Sequence, residues 1–132
     1  MNSLPAWIYE ALSNEMVERA IRARGVRSRI VLDAMRSVPR EDFLPAGMRE
    51  FAYDDTPLPI EADQTISQPY IVAFMVERAL AGGRLKPGQE IVEASTGNTG
   101  LALAMVGPRL GHPVRVVVPR SVFGDVVRAL IA

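Results

Sequence analysis

Residues 93–104, EASTGNTGLALA, hold the chemistry that is easiest to read from spacing. The apolar run Glu90-Ile91-Val92-Glu93 enters a loop of hydroxyl residues, asparagine and glycine, and the chain leaves it as an apolar segment of helical character. Strand, tight loop and helix is the arrangement by which α/β proteins hold an anionic or nucleotide-like ligand. An anion seated on the amides of residues 95–100 is the first expectation. Upstream, QTISQP sets the hydroxyls of Thr65 and Ser67 just before Pro69, a residue suited to a first helical turn. On residue type alone, Ser67 reads as the cap of that helix. Other chemistry is closed off. With no cysteine there is no disulfide, thiolate nucleophile or zinc–thiolate site. The single histidine, His112, builds no metal cluster alone and is expected at the surface, in a turn after Gly111. Lys86 is the only lysine.

The elements that must position these residues fit one domain. At 132 residues, 48% hydrophobic and 23% charged, the chain has enough apolar material for one core and too little length for two comfortable ones. Lys plus Arg equals Asp plus Glu at 15 each, so bulk charge favours neither nucleic acid nor an acidic membrane. No segment approaches the roughly 20 apolar residues of a membrane span. The opening MNSLPAWIYEALSNEM has acidic residues and no basic region, unlike a secretion signal. A cytoplasmic protein with neither nucleic-acid nor membrane partner is expected.

Apolar positions Met16, Val17, Ala20 and Ile21 predict a helix over 13–24, with Ser13 or Asn14 as cap and Gly25 as stop. Trp7 and Tyr9 are expected to dock the N-terminal segment. A second helix follows Ser28, with Ile30, Val31, Ala34, Met35 and Val38 as its buried stripe and Pro39 as its end. The arginines of both helices alternate with acids, the pattern of a solvated face. Residues 40–68 keep no period and are expected to be pinned by Phe43, Leu44, Phe51, Tyr53, Leu58 and Ile60. The helix from Pro69 should bury Ile71, Val72, Met75, Val76, Ala79 and Leu80, and stop at Gly82-Gly83. A strand at 90–94, a helix at 99–106, a β-branched strand at 114–118 and a last helix at 121–131 complete the chain. Residues 90–118 thus read as one right-handed βαβ unit, with the second strand buried on both faces. The fold class is α/β: an N-terminal helical region followed by a partial Rossmann-like parallel sheet, βαβα. One domain spans 1–132, with helical region and active-site segment in 1–88 and the βαβα unit in 89–132. Strand 114–118 lacks a later strand for its outer edge, so a homo-oligomer is expected; a monomer would need 55–62 to fold back as an extra strand.

AIRARGVRSRIVLDAMRSVPREDFLP, FAYDDTPLPIEADQTISQPYIVAFM and LKPGQEIVE resemble, in order and spacing, the N-terminal half of protein-L-isoaspartate O-methyltransferases, over about residues 15–92. The resemblance implies methyl transfer from S-adenosylmethionine to the carboxylate of isoaspartyl residues in damaged proteins. It implies Ser67 as catalytic residue and Thr65 and Ile66 as substrate-binding residues. It also implies a first glycine loop that holds the cofactor, here Glu93, Ser95, Thr96, Gly97, Asn98 and Gly100. A carboxylate acceptor is already nucleophilic, so positioning and desolvation carry such chemistry and no strong base is needed.

From about residue 92 to 132, VEASTGNTGLALAMVGPRLGHPVRVVVP is similar to the asparagine loop and βαβ of fold-type II pyridoxal-phosphate enzymes. In the methyltransferases that loop has the form E-I-G-T-G-S-G-Y; Glu93, Thr96 and Gly97 fit it, while Ser95 and Thr99 occupy glycine positions. The chain therefore resembles a hybrid of the two families. Pyridoxal-phosphate catalysis requires a Schiff-base lysine, and Lys86, in the turn before the strand, does not match that family's lysine motif, so no pyridoxal phosphate is expected. Rossmann-like methyltransferases hold the ribose hydroxyls with an acid at the end of the second strand. Here Pro119 and Arg120 stand there and the nearest acid is Asp125, so S-adenosylmethionine binding is expected to be weak or absent in a monomer. Two functions stay open: isoaspartyl methyl transfer, and a non-catalytic α/β hybrid or fragment that binds at most an anion at 95–100.

Overall fold

The structure, a computed structural model, describes residues 4–60, 65–94 and 98–122. Helix α1, Ala6–Met16, follows Pro5 and runs through a π-helical turn, Val17–Ile21, and a 3₁₀ turn, Arg22–Arg24, to Gly25 at φ 105°. The stop is where the sequence puts it; the start is not. Ser13 lies inside the helix with its hydroxyl turned inward to donate to the Arg36 carbonyl at 3.4 Å, so it caps nothing. Tyr9 docks as expected, buried, with its hydroxyl accepting from the Leu4 amide at 3.1 Å. Trp7 does not dock and is 69% exposed.

Helix α2, Arg29–Ser37, starts at Ser28, whose Oγ accepts the Val31 amide at 3.5 Å. Its buried residues are Val31, Leu32, Ala34 and Met35, with Val38 just beyond, whereas Ile30 is exposed. Leu32 replaces Ile30 because α2 packs between the π-helical turn and the following long helix, which turns the buried face. The arginine-rich surface is solvated except at Arg40, which is buried: Glu18 takes Arg22 at 2.9 Å and Arg36 at 2.6 Å, and Arg36 reaches Asp33 at 3.0 Å. Exposed pairs of this kind contribute little to stability.

The aperiodic stretch resolves into 3₁₀ turns, Arg40–Phe43 and Ala46–Phe51, followed by two short strands. Strand β1, Leu58–Pro59, pairs antiparallel with β2, Thr65–Ile66, in the register Leu58↔Ile66 and Pro59↔Thr65. This pair is a sheet of its own and adds nothing to the edge of strand 114–118. Leu44, Leu58 and Ile60 are buried anchors and Phe43 and Tyr53 pack against the core, but Phe51 is exposed.

Helix α3, Pro69–Ala81, has Pro69 at its first turn and ends at Gly82, with Gly83 at φ 68°. It buries Pro69, Val72, Ala73 and Val76, while Ile71 and Met75, expected inside, are exposed beside Phe74. Strand β3, Ile91–Ala94, helix α4, Asn98–Val106, and strand β4, Val114–Val117, form the βαβ unit. The strands are parallel, in register from Ile91↔Val114 to Ala94↔Val117. Ile91, Glu93, Val114 and Val116 are half-buried on one face, and Val92, Ala94, Arg115 and Val117 are exposed on the other. The sequence expectation of a β4 buried on both faces fails for that reason. His112 is also corrected: Gly111 at φ 79° turns the chain back, and the ring is buried with Nδ1 2.9 Å from the Gln89 carbonyl. Of the helix expected at 121–131, a 3₁₀ turn, Arg120–Val122, is described and the remainder lies outside the described residues.

One apolar core joins the parts, from Val17 and Ile21 through Val31 and Ile66 to Val72 and Val106. Among the described residues no helix is long and apolar enough to cross a membrane, and no acid–histidine group could hold a metal.

Candidate functional site

Two segments carry the candidate residues, and α4 brings them together by packing on β2 as well as on its own strands. Ile66 is 2% exposed and shares a small cavity, about 10 Å³, with Val72, Ala102, Met105 and Val106. Its side chain is therefore core. Thr65 and Ser67, on either side of it, are half-buried. That alternation is what an extended segment gives: the central side chain points in and its neighbours point away.

Ser67 does not cap α3. The cap position is Gln68, and no side chain at that position closes the helix. Instead Asp55, distant in sequence, accepts the Tyr70 amide on Oδ1 at 2.9 Å. Its Oδ2 accepts Gln68 Nε2 and Arg24 Nη1, both at 2.9 Å. The Arg24 guanidinium in turn lies 3.8 Å from the centre of the Tyr70 ring, a cation–π contact. Ser67 Oγ makes no hydrogen bond to any described residue. The hydroxyl next to a helix N-terminus is thus left uncommitted, and the capping role goes to a residue the sequence does not flag.

On the other side, Glu93 is half-buried near the carboxyl end of β3 and lines a groove of about 240 Å³ with Met75, Val76, Ile91 and Leu103. Ser95, Thr96 and Gly97 lie outside the described residues, as does the expectation of an anion on the 95–100 loop. Asn98 opens α4. Gly100 is buried against Val116, where a Cβ would stand 2.5 Å from Cγ1. Below the site, Arg40 is buried, donates from Nε to the Ala52 carbonyl at 2.6 Å, and leaves Nη2 without a hydrogen-bond partner among the described residues. Burial lowers its pKa to about 10 against the raising effect of Tyr53 and Asp55. Tyr53 donates to the Glu41 carboxylate in a short hydrogen bond, and burial first, then Glu41, push its pKa above the usual phenol range.

A parallel β–α–β unit behind a helical region is Rossmann-like in its architecture. The family model for protein-L-isoaspartate(D-aspartate) O-methyltransferase matches residues 11–121, and the chain belongs to that family. The protein-L-isoaspartate O-methyltransferase of Rhodopseudomonas palustris is 54% identical over 97 residues, 74% of this chain and 42% of the relative. That of Methylorubrum extorquens is 48% identical over 117 residues, 89% of this chain and 49% of the relative. The chain thus spans less than half the length of these curated relatives. Among solved structures, a protein-L-isoaspartate O-methyltransferase superposes with TM-score 0.61 at 23% identity, over 89% of this chain and 38% of the other. A Plasmodium falciparum protein named for the same activity, in complex with S-adenosyl-L-homocysteine, superposes with TM-score 0.59 at 22% identity, over 89% of this chain and 54% of the other. At those identities the likeness concerns the fold. The family match runs through the loop and β4, most of the stretch that resembles the pyridoxal-phosphate enzymes, and lends the hybrid no support.

Proposed function

We propose that this chain carries the acceptor side of an S-adenosylmethionine-dependent methyl transfer to isoaspartyl carboxylates in damaged proteins. The observation that supports this best is Ser67: a half-buried hydroxyl at the start of α3, with the helix N-terminus closed by Asp55 instead. That hydroxyl is free to donate to one oxygen of an acceptor carboxylate while the other oxygen attacks. Thr65 flanks the same position, and Ile66, whose side chain is core, is left its backbone for substrate contact. The acceptor is an anion and needs orientation and a drier environment more than a base.

The donor side fits S-adenosylmethionine in part. This reading assigns the cofactor to Glu93, to Ser95, Thr96 and Gly97, and to Asn98 and Gly100 in the first turn of α4. The end of β4 does not fit, because exposed Pro119 and Arg120 stand where an acid would hold the ribose hydroxyls. When bound, the sulfonium supplies an electrophilic methyl group. Everything else asked of the protein is binding, orientation and exclusion of water. We expect weak cofactor binding and no use of pyridoxal phosphate, Lys86 lying exposed in the turn before β3. A cytoplasmic, single-domain chain that self-associates through its open sheet completes the reading.

The misfit at Pro119 and Arg120 favours a second reading, a non-catalytic α/β fragment. Calorimetric titration with S-adenosylhomocysteine, paired with a methyl-transfer assay on an isoaspartyl peptide, separates the two. Measurable binding, with turnover that drops in Ser67→Ala while the circular dichroism spectrum is unchanged, supports the methyltransferase. Neither binding nor turnover leaves the fragment.

A further inference from the structure

We propose that Asp55 is the positioning residue for Ser67; the inference rests on the methyltransferase reading. Ser67 has no hydrogen bond of its own among the described residues, so its placement depends on what holds the chain on either side. Before it, the β2 ladder pins Thr65 opposite Pro59 and Ile66 opposite Leu58. After it there is no ladder, and Gln68 and Pro69 are not part of any sheet. There the work falls to Asp55. One oxygen takes the Tyr70 amide and the other takes the Gln68 side chain, so a single carboxylate grips the first and third residues after Ser67 at 2.9 Å each.

Asp55 is itself held. Arg24 donates to Oδ2 at 2.9 Å and lies over the Tyr70 ring at 3.8 Å, closing a loop of contacts Arg24–Asp55–Tyr70–Arg24. The Asp55 side chain is only 16% exposed, unlike the solvated pairs on α1 and α2. Hydrogen bonds to an ionised acceptor are about twice as strong as neutral ones. Arg24 also offsets a negative charge that would otherwise face an anionic acceptor near Ser67. Asp55 touches no reacting atom in this scheme. It acts through Ser67.

Amide hydrogen exchange and methyl transfer measured on the full chain, for wild type, Asp55→Ala, Asp55→Asn and the exposed control Asp54→Asn, test the proposal. Losing a charge-assisted hydrogen bond should speed exchange of the Tyr70 amide about ten-fold or more in Asp55→Ala, with α2 amides unchanged. On an isoaspartyl peptide kcat should fall about ten-fold while KM for S-adenosylmethionine stays put. Asp55→Asn, which keeps an acceptor for Tyr70, should recover part of both, and Asp54→Asn should match wild type. Unchanged Tyr70 exchange overturns the proposal, and so does faster exchange with unaltered kcat, which would make Asp55 a helix cap only. A wild-type chain that transfers no methyl group at all sinks the methyltransferase reading instead, and the exchange comparison then decides by itself whether Asp55 orders the Ser67 segment.

Discussion

Gly100 lies so close beneath Val116 that a Cβ would come within 2.5 Å of Cγ1 and 3.0 Å of Cγ2. The absence of a side chain is what lets α4 settle on β4. Gly107 does the same at the far end of α4, against Val114 and the His112 carbonyl. Alanine is the better helix former by about 1 kcal/mol, but overpacking costs about 1–3 kcal/mol. Gly100→Ala should therefore be mildly destabilising. Gly107→Ala should be worse, since the 3.2 Å contact with the His112 carbonyl involves backbone that cannot swing aside. Urea unfolding reads both, and a stabilised Gly107→Ala would contradict the close packing.

Tyr53 gives the fold a sensitivity to alkali. Its phenol is buried and donates to Glu41, so its pKa is raised in the folded state relative to about 10 when unfolded. Between those values the unfolded chain has lost a proton that the folded chain keeps, so stability falls as pH rises above about 10. Arg40, whose proton is lost at about pH 10 when folded and only above that when unfolded, contributes with the opposite sign over the same range, from about pH 10 upward. The difference between wild type and Tyr53→Phe reads the tyrosine together with its effect on Arg40. Thermal unfolding from pH 8 to 11 should show a shallower decline in Tyr53→Phe. Parallel curves would mean that Tyr53 ionises as readily folded as unfolded.

Glu77 ties α3 to the start of α2, its Oε1 accepting the Arg27 amide at 2.7 Å and the Ser28 amide at 2.5 Å. Two donors at one helix end depend on it, while Ser28 Oγ serves only the Val31 amide, at a long 3.5 Å. Glu77→Ala should cost about 1–3 kcal/mol, more than Ser28→Ala at about 1 kcal/mol. Denaturant midpoints of the two variants give the order, and the reverse order would make Ser28 the true anchor.

Much of this was legible in the sequence because it is local. Gly25 and Gly82-Gly83 end helices, Pro69 opens one, Ser28 caps one, and the β–loop–α–β order follows from apolar runs and punctuation. What escaped is non-local. Ser13 looks like a cap until α2 supplies the Arg36 carbonyl, and His112 looks exposed until Gly111 folds it onto Gln89. Ile30 and Leu32 exchange places because neighbouring helices, not periodicity, set the face of α2. At the candidate site, the motif points to Ser67, whereas nothing in the sequence points to Asp55. Its partners lie 13, 15 and 31 residues away, and within DDT nothing marks it apart from Asp54.

The open face of the parallel sheet predicts self-association. Val92 is 58% exposed and Val117 50% exposed, and the register places them on one face with Ala94 and Arg115. Among the described residues β3 and β4 pair only with each other, and no described strand lies on either outer edge. Parallel strands are ordinarily covered on both faces, and bare edges invite strand addition. A second copy supplies the same apolar face, so a two-fold face-to-face pairing should cover Val92 and Val117. Fully burying a valine is worth about 1.5–3 kcal/mol, so partial burial of two on each chain should contribute to a dimer. Charge at these positions should undo it, so Val92→Lys and Val117→Lys should each weaken association about ten-fold or more, with helical content retained. Sedimentation equilibrium across a concentration series checks this. A wild-type chain that stays a 14.4 kDa monomer at the highest concentrations would refute the pairing.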